Sequence, residues 1–294
     1  MKLSGSEIII ECLKREGVEY IFGYPGGAVL HIYDALFNSK NIKHVLVRHE
    51  QGATHAADGY ARACGKPGVV LVTSGPGITN CITGLATAHM DSIPMIVISG
   101  QVSRQYVGSD AFQEADATGI TRPVTKHNFL IDKRESIADV FKKAFKIATT
   151  GRPGPVLIDI TKDAQFSNVR FNYKKCDKIR SYHPYPIIKK TKIKEAAKII
   201  NNSKKPLILV GQGVLLSKAE NELLQLSEKT GIPVASTLLG LSAISCHHKN
   251  YVGYLGMHGN YGPNLKTNEA DLLIAIGMRF DDRVTGDTTK YGTN

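Results

Sequence analysis

The stretch Arg48-His49-Glu50-Gln51-Gly52 decides how the fold of this chain is interpreted. It follows a short apolar run at residues 45–47 and precedes a segment of small residues at 52–57. The run predicts a buried parallel strand and the segment predicts a helix. We therefore expect Glu50 at the carboxyl end of a strand, where open α/β sheets bind ligands, and a carboxyl group buried there can exchange a proton with a heterocyclic nitrogen. The alternative is a solvated glutamate that the helix dipole favours at a helix start.

Helix and strand patterns alternate around this stretch over residues 1–165. Strands separated by helices predict βαβ units and a parallel sheet. We expect strands at residues 20–22, 45–47, 69–73, 95–98 and 156–160, and helices at 6–16, up to 37, after 52, after 77 and at 137–149.

A second α/β pattern begins near residue 187. The alternation is lost over residues 166–186, which we interpret as a linker, and resumes with a helix followed by strands at 206–210, 233–235 and 272–276. The predicted fold class is therefore α/β, with two doubly wound parallel-sheet domains at 1–165 and 187–294. The second is Rossmann-like and, with only about four strands, is expected to be incomplete.

Composition excludes several classes of protein. Apolar residues make up 42% of the 294, as in ordinary α/β proteins, and no run approaches the roughly 18 consecutive apolar residues of a membrane span. The five cysteines are scattered, which predicts reduced thiols and neither a disulfide framework nor a zinc site. With no targeting segment recognised at the start, we expect a cytoplasmic protein, or one of the plastid stroma if it is plastid-encoded.

The net charge of +11 is concentrated in one place, residues 173–205. No helix-turn-helix, zinc-finger or RNA-binding pattern accompanies it, so we favour a solvated linker and helix face over a nucleic-acid surface. The eleven basic residues, set against Asp177 and Glu195, are Lys174, Lys175, Lys178, Arg180, Lys189, Lys190, Lys192, Lys194, Lys198, Lys204 and Lys205.

Nine motifs, taken together and in order, resemble those of the large catalytic subunits of the acetohydroxyacid (acetolactate) synthase family, which are thiamine-diphosphate enzymes. Each motif alone is a weak signal, whereas nine in register from residue 3 to residue 286 are specific. They lie at residues 23–28, 48–52, 73–77, 99–102, 110–114, 125–128, 151–156, 255–259 and 279–286.

The resemblance implies roles for residues of the first domain. Glu50 matches the glutamate that hydrogen-bonds N1′ of the aminopyrimidine ring of thiamine diphosphate, and Gln113 matches a glutamine at the reacting centre. Other implied thiamine-diphosphate contacts are Pro25, Gly26, Gly27 and Pro76. The substrate channel is implied to include Lys162, Ala28 and Lys126, where a cation would attract 2-ketoacid carboxylates.

For the second domain the resemblance implies a structural FAD. Gln212 departs from the triple glycine that many members of the family carry, and His258 without the family would more often be an ordinary core or surface histidine. The implied FAD contacts are Arg152, Gly211, Gly213, Thr237, Leu238, Leu255, Gly256, Met257, His258, Gly277, Arg279 and Asp281.

The family's Gly-Asp-Gly motif, which holds Mg²⁺ and the diphosphate, is not found in the sequence. The nearest string, Gly286-Asp287-Thr288, lacks the second glycine. The metal ligands and the diphosphate-binding domain are therefore expected outside this chain, which we interpret as shortened at its C-terminus. The resemblance further implies a homodimer or homotetramer, a small regulatory subunit, and pyruvate and 2-ketobutyrate as substrates. From the residues themselves we expect binding to neither nucleic acid nor membrane.

The leading hypothesis is a transferase that decarboxylates pyruvate and joins the remaining two-carbon unit to a second 2-ketoacid, the first common step of isoleucine, valine and leucine synthesis. Two alternatives stay open. One is a related pyruvate oxidase or decarboxylase, against which Gln113 and the motif at 279–286 weigh. The other is a non-catalytic fragment that binds only FAD or a partner subunit.

Overall fold

The computed structural model describes residues 2–166 and 168–292. The chain divides into two compact units, Met1–Pro186 and Ile187–Asn294. The outer limits of the predicted domains, Met1 and Asn294, and Ser167 of the predicted linker lie outside the described residues. Among the helices described between residues 2 and 292, none combines the length and the apolar character needed to cross a bilayer.

A six-stranded parallel sheet forms the centre of the first unit, in the order β3-β2-β4-β5-β7-β6. A separate antiparallel ribbon pairs β1 with β8. The strands are β1 (Lys2–Ser4), β2 (Tyr20–Gly23), β3 (Lys43–Leu46), β4 (Gly68–Val72), β5 (Met95–Gln101), β6 (His127–Ile131), β7 (Pro155–Thr161) and β8 (Asn168–Arg170).

Helices cover both faces of this sheet. The helices are α1 (Gly5–Arg15), α2 (Leu30–Phe37), α3 (Glu50–Cys64), α4 (Pro76–Thr79), α5 (Ile82–Met90), α6 (Ala117–Thr121), α7 (Ile137–Thr149) and α8 (Lys162–Phe166). Residues of α1 and α7 belong to the core on one face, and residues of α3 and α5 to the core on the other.

The apolar central strands are buried on both faces because side chains alternate along a strand. In β4, Val69 and Leu71 pack into the core beside α1 and α7, whereas Val70 and Val72 pack beside α3 and α5. All four side chains are fully buried. This pattern explains why the central strands are continuous apolar runs in the sequence.

The second unit contains a four-stranded parallel sheet in the order β11-β10-β9-β12. Its strands are β9 (Pro206–Val210), β10 (Val234–Ser236), β11 (Tyr251–Tyr254) and β12 (Leu272–Ile276). Its helices are α9 (Lys190–Asn202), α10 (Gln212–Ser217), α11 (Glu220–Thr230), α12 (Tyr261–Glu269) and α13 (Asp282–Thr285). The α/β fold class with two parallel sheets is confirmed.

The strand before Glu50 differs from its prediction. The sequence predicts a buried strand at residues 45–47, but β3 ends at Leu46 and is an edge strand that pairs only with β2. Val45 and Leu46 are therefore exposed, at 38% and 64%. The reason is the strand order, which a local apolar run does not encode.

The segment predicted as a linker, residues 166–186, is also different. It contains β8, which pairs with β1, and apolar side chains that pack against the core of the first unit. These side chains belong to Phe171, Tyr173, Ile179 and Tyr182. In α9, residues 191–199 are all exposed and only Ile200 packs against the second unit's core, so the helix is less embedded than its pattern predicts.

Close packing between α3 and α5 gives a prediction about stability. A Cβ on Gly84 would lie 1.9 Å from Oγ1 of Thr54, whose side chain is fully buried. We expect Gly84→Ala to lower the free energy of unfolding by about 1–3 kcal/mol, because the two helices must move apart. Denaturation in urea measures this.

The matched control is Gly59→Ala, in the same helix as Thr54, where a Cβ would meet nothing within 4 Å. It should leave the stability unchanged or raise it by up to about 1 kcal/mol, since alanine favours helix. Equal effects of the two substitutions would contradict the packing argument.

Candidate functional site

Five predicted site segments of the first unit lie at one edge of its sheet. Because the six strands are parallel, their carboxyl ends meet at the same edge. In sheet order, Glu50 follows β3, residues 25–28 follow β2, Pro76 follows β4, Gln113 lies in the loop after β5, and Lys162 follows β7.

Glu50 is the first residue of α3 and is nevertheless buried, with 9% of its surface exposed. The helix starts there because the Nδ1 atom of His49 accepts a hydrogen bond from the amide of Gln51 (3.2 Å). The side-chain amide of Asn80 donates to Oε2 of Glu50 (2.9 Å). One carboxylate oxygen is thus fixed, and the other makes no hydrogen bond with the described residues.

A second ionisable group lies near Glu50. The hydroxyl of Tyr33 is 3.2 Å from Nε2 of His44 and 3.3 Å from the carbonyl oxygen of Leu71. Burial, and next the charge of Glu50, raise the pKa of Tyr33, and burial lowers the pKa of His44. Both side chains are therefore neutral near pH 7, so neither is a cationic partner for Glu50.

The turn at residues 25–28 is held close to β4 and β5. A Cβ on Gly26 would lie 2.5 Å from the Cβ of Thr73, so only glycine fits at this position. The hydroxyl of Thr73 accepts from the amide of Ala28 (3.3 Å), and the carbonyl of Ala28 accepts from the side chain of Gln165 (2.8 Å). Both hydrogen bonds fix the turn at Ala28, its last residue.

Gln113 lies in an exposed loop whose main chain is constrained. Its φ of 55° is in the left-handed region, which is unusual for a residue other than glycine. The carbonyl oxygen of Gln113 would lie 2.6 Å from a Cβ on Gly75. The carboxylate of Glu114 accepts from the amides of Gly108, Ser109 and Ala111, which closes the loop on itself.

A buried polar pair lies beneath this loop and was not predicted. The side-chain amide of Gln101 donates to the carbonyl oxygen of Ala115 (2.8 Å) and to Oδ2 of Asp159 (3.0 Å). Burial raises the pKa of Asp159 to about 7, against the lowering effect of its hydrogen bond from Gln101. The hydroxyl of Ser99 donates to the carbonyl of Gly100 (3.1 Å), so Oδ1 of Asp159 has no partner among the described residues.

The sequence carries signals for these unpredicted residues. Asp159 is a carboxylate inside the apolar run at 156–160, and Gln101 ends another apolar strand. Asn80 follows the glycine-rich motif at 73–77 and caps the short helix α4. A polar residue within a strand buried on both faces is the pattern that finds such positions.

Lys126 lies at the other edge of the sheet from these five segments, and its predicted place in the substrate channel stays a prediction. It precedes β6, and its amide donates to the carbonyl of Pro155 at the amino end of β7, the opposite edge of the sheet. Its ammonium group donates to the carbonyl oxygens of Ile147 (2.5 Å) and Thr150 (2.6 Å) and to the hydroxyl of Tyr182 (2.8 Å). These bonds cap the carboxyl end of α7 and occupy the cation.

In the second unit the residues predicted to contact FAD follow the carboxyl ends of all four strands. Gly211 and Gly213 follow β9, residues 237–238 follow β10, residues 255–258 follow β11 and residues 277–281 follow β12. Arg152 belongs to the first unit, where its guanidinium donates to the hydroxyl of Ser92 (2.7 Å).

The turn that follows β9 and the turn that follows β12 pack directly on each other. The amide of Gly213 donates to the carbonyl of Gly277 (2.7 Å), and a Cβ on Gly211 would lie 2.5 Å from that same oxygen. Gly277 has a φ of 64°, which favours glycine. This close approach leaves unhindered main chain at the edge, as a dinucleotide pyrophosphate requires.

The side chains at this edge differ in exposure. Met257 and His258 are exposed, whereas Leu255 is a core residue that is 2% exposed. Arg279 pairs with Asp281 (3.3 Å), whose carboxylate also caps α13. Among residues 2–166 and 168–292, no group of three His, Cys, Asp or Glu side chains is arranged to hold a metal ion.

Comparison with known proteins gives matches to both units. Residues 3–120 match the family model of the thiamine pyrophosphate enzyme N-terminal TPP binding domain, and residues 193–294 match the model of the thiamine pyrophosphate enzyme central domain. The chain is 51% identical over 295 residues to the acetolactate synthase large subunit of Haemophilus influenzae, covering 100% of this chain and 52% of that protein.

Two further relatives are similarly close. The acetolactate synthase isozyme 3 large subunit of Escherichia coli is 49% identical over 99% of this chain and 51% of its own length. The probable acetolactate synthase large subunit of Methanococcus aeolicus is 51% identical over 99% of this chain and 49% of its own length. The chain spans about half the length of these curated relatives.

The position of Lys126 generates a prediction. Lys126→Met keeps the length of the side chain and removes three hydrogen bonds. We expect it to lower the free energy of unfolding by about 2–4 kcal/mol, because two carbonyls and a hydroxyl lose a charged donor. Chemical denaturation measures the loss.

Lys162→Met is the matched control, since Lys162 is exposed. It should change the stability by less than about 0.5 kcal/mol. If Lys126→Met were as harmless as Lys162→Met, the capping role of Lys126 would be refuted.

Proposed function

This chain belongs to the thiamine pyrophosphate enzyme family, and we propose that it supplies two domains of an acetolactate synthase large subunit. The reaction removes CO₂ from pyruvate and joins the remaining two-carbon unit to pyruvate or 2-ketobutyrate. The products are 2-acetolactate and 2-aceto-2-hydroxybutyrate, at the first common step of branched-chain amino acid synthesis. The observation that carries the proposal is identity of about half the residues, along the whole chain, to proteins of that name.

The surroundings of Glu50 fit an aminopyrimidine ring. Its carboxyl group is buried at the ligand-binding edge of the sheet, and Asn80 holds only Oε2. Oε1 can then accept from, or share a proton with, a ring nitrogen such as N1′. Thiamine diphosphate supplies, when bound, the electron sink for decarboxylation.

Asn80 serves in this proposal to orient the carboxylate of Glu50. An amide donor at 2.9 Å stabilises one rotamer of Glu50 without supplying a charge. The proton is therefore handled by Glu50 alone, at the oxygen that faces the ligand. Pro25, Gly26, Gly27 and Pro76 form the turns that admit the ring closely to the main chain.

Gln113 and Lys162 are proposed to act on the substrate side. Gln113 is exposed at the same edge, in a loop held against Gly75, and offers an amide to the reacting carbonyl. Lys162 is exposed at the start of α8 and attracts a 2-ketoacid carboxylate together with Ala28 at the channel. Lys126 is likewise proposed as a channel residue, with its ammonium group held by Ile147, Thr150 and Tyr182.

FAD is proposed to bind the carboxyl edge of the second unit's sheet. Support comes from the close-packed turns at Gly211, Gly213 and Gly277. The flavin has a structural role here, since decarboxylation and carboligation involve no net redox change. Mg²⁺ is proposed to be held by residues outside those described, because the Gly-Asp-Gly motif is not found in this sequence.

The proposed assembly follows from the incomplete set of cofactor ligands. A second copy of the large subunit would bring the diphosphate-binding residues to Glu50, so we propose a homodimer or homotetramer. The names of the relatives refer to a large subunit, which supports a small regulatory subunit as a further partner.

A chimera tests the function. We propose to replace the half of the Escherichia coli relative that this chain matches with this chain. With thiamine diphosphate, Mg²⁺, FAD and pyruvate, the chimera should form acetolactate, and Glu50→Gln should lower its turnover by at least about a hundredfold because the amide cannot exchange a proton.

The parent Escherichia coli enzyme and a thermal melt serve as controls for assay and folding. A folded chimera that releases acetaldehyde in place of acetolactate, or acetyl phosphate when inorganic phosphate and oxygen are supplied, would instead favour a related decarboxylase or oxidase. Turnover of the Glu50→Gln variant within a few-fold of the unmodified chimera would contradict the role of Glu50.

The FAD proposal has its own test on this chain. Titration with FAD, followed by flavin fluorescence, should show saturable binding. Arg279→Ala should weaken it by about tenfold or more through loss of a charged hydrogen-bond donor. The control is Lys290→Ala, which removes another exposed cation with an acidic partner in the same unit.

Binding that is unchanged by Arg279→Ala would remove that residue from the site. Failure of the unmodified chain to bind FAD would contradict the FAD proposal. The thiamine-diphosphate proposal would not be affected, because the chimera assay tests it separately.

A further inference from the structure

Two buried polar residues, Gln101 and Asp159, lie beneath the loop that carries Gln113. Gln101 is the last residue of β5 and is 3% exposed, while Asp159 lies in the middle of β7 and is 1% exposed. In the sheet Ser99 is the register partner of Asp159, and Gln101 that of Thr161. The four side chains therefore share one face of the sheet.

Every polar atom of the Gln101 side chain is used. Its amide donates to the carbonyl of Ala115 (2.8 Å) and to Oδ2 of Asp159 (3.0 Å), and its Oε1 accepts from the amide of Val102 (2.8 Å). Gln101 thus joins both ends of the loop, at residues 102 and 115. Asp159 fixes the orientation of the Gln101 amide, since it holds one of the two donor hydrogens.

Burial of a carboxyl group at this place costs free energy, because the group loses its contact with water. The residues on either side of Asp159 are apolar, and an apolar side chain at this position would need no desolvation of a polar group. The carboxyl provides the one buried side-chain bond that β7 makes to Gln101.

We propose that Asp159 is a positioning residue that, through Gln101, fixes the main chain of the loop at residues 102–115 and thereby the place of Gln113 at the site. Its functional meaning rests on the proposed function, in which Gln113 faces the reacting carbonyl. Neither Asp159 nor Gln101 needs to contact substrate or cofactor in this role.

Hydrogen exchange of the loop amides in the purified chain tests the proposal without cofactor or turnover. Asp159→Leu should speed exchange within residues 102–115 by about tenfold, the equivalent of one lost hydrogen bond of about 1.4 kcal/mol. Asp159→Asn keeps an acceptor for Gln101 and should restore exchange close to that of the unmodified chain. The strands β4 and β5 should exchange as before in both variants.

Two further variants complete the design. Gln101→Met removes the hydrogen bonds from Gln101 to the loop and leaves Asp159 unchanged. It should speed hydrogen exchange in the loop as much as Asp159→Leu does, so the test stays decisive if Asp159→Leu unfolds. Thr161→Val is the matched control, because Thr161 is fully buried on the same strand and face and its hydroxyl makes no hydrogen bond with the described residues. It should leave loop exchange unchanged.

Loop exchange that is unaffected by Asp159→Leu and Gln101→Met would overturn the proposal. Equal acceleration by Thr161→Val would overturn it too, since general loosening of the core would then suffice. Neither result would bear on the proposed function, which the acetolactate assay of the chimera tests separately. Failure of that assay would not alter what the hydrogen-exchange measurement shows about the loop.

Discussion

Parallel pairing of the strands is the constraint on which both candidate sites depend. In the first unit it brings the residues after β3, β2, β4, β5 and β7 to one edge, although they are more than a hundred residues apart in the chain. In the second unit the same rule brings together four turns, each of which contains a glycine. The chemistry at each edge is then set by a few side chains that the sheet holds in place.

Much of this arrangement could be predicted from the sequence because it follows from chain order. In a parallel sheet, a residue just after a strand lies at the carboxyl edge whatever the position of that strand in the sheet. The edge at which Glu50, Pro76 and Lys162 lie could therefore be predicted without the strand order. The exposure of β3 could not be predicted in this way, because an apolar run of three residues carries no information on which strand lies at the edge of the sheet. Strand order is settled by contacts distant in sequence.

Lys126 shows that a motif alone does not place a residue in the sheet. Its motif at 125–128 is in register with the family, but β6 is a short edge strand whose mixed exposure left no pattern to find. Without that strand, the sequence could not show that Lys126 precedes it and so lies at the opposite edge. Asp159 is the converse case, where a charged residue in an apolar run marked a position that the motifs passed over. The segment at 166–186 is a further case, since its charges suggest solvent while Phe171, Tyr173 and Tyr182 pack against the core of the first unit.

The edge position of β3 has a thermodynamic consequence for Glu50. A strand with one neighbour can detach from its sheet at a smaller free-energy cost than a central strand, by local opening that leaves the rest of the domain intact. Glu50 follows such a strand by a few residues, so the population of molecules with a correctly placed carboxylate depends on that opening equilibrium. Whatever covers the exposed side chains of Val45 and Leu46 would shift the equilibrium toward the closed form and would raise ligand affinity without contacting the ligand.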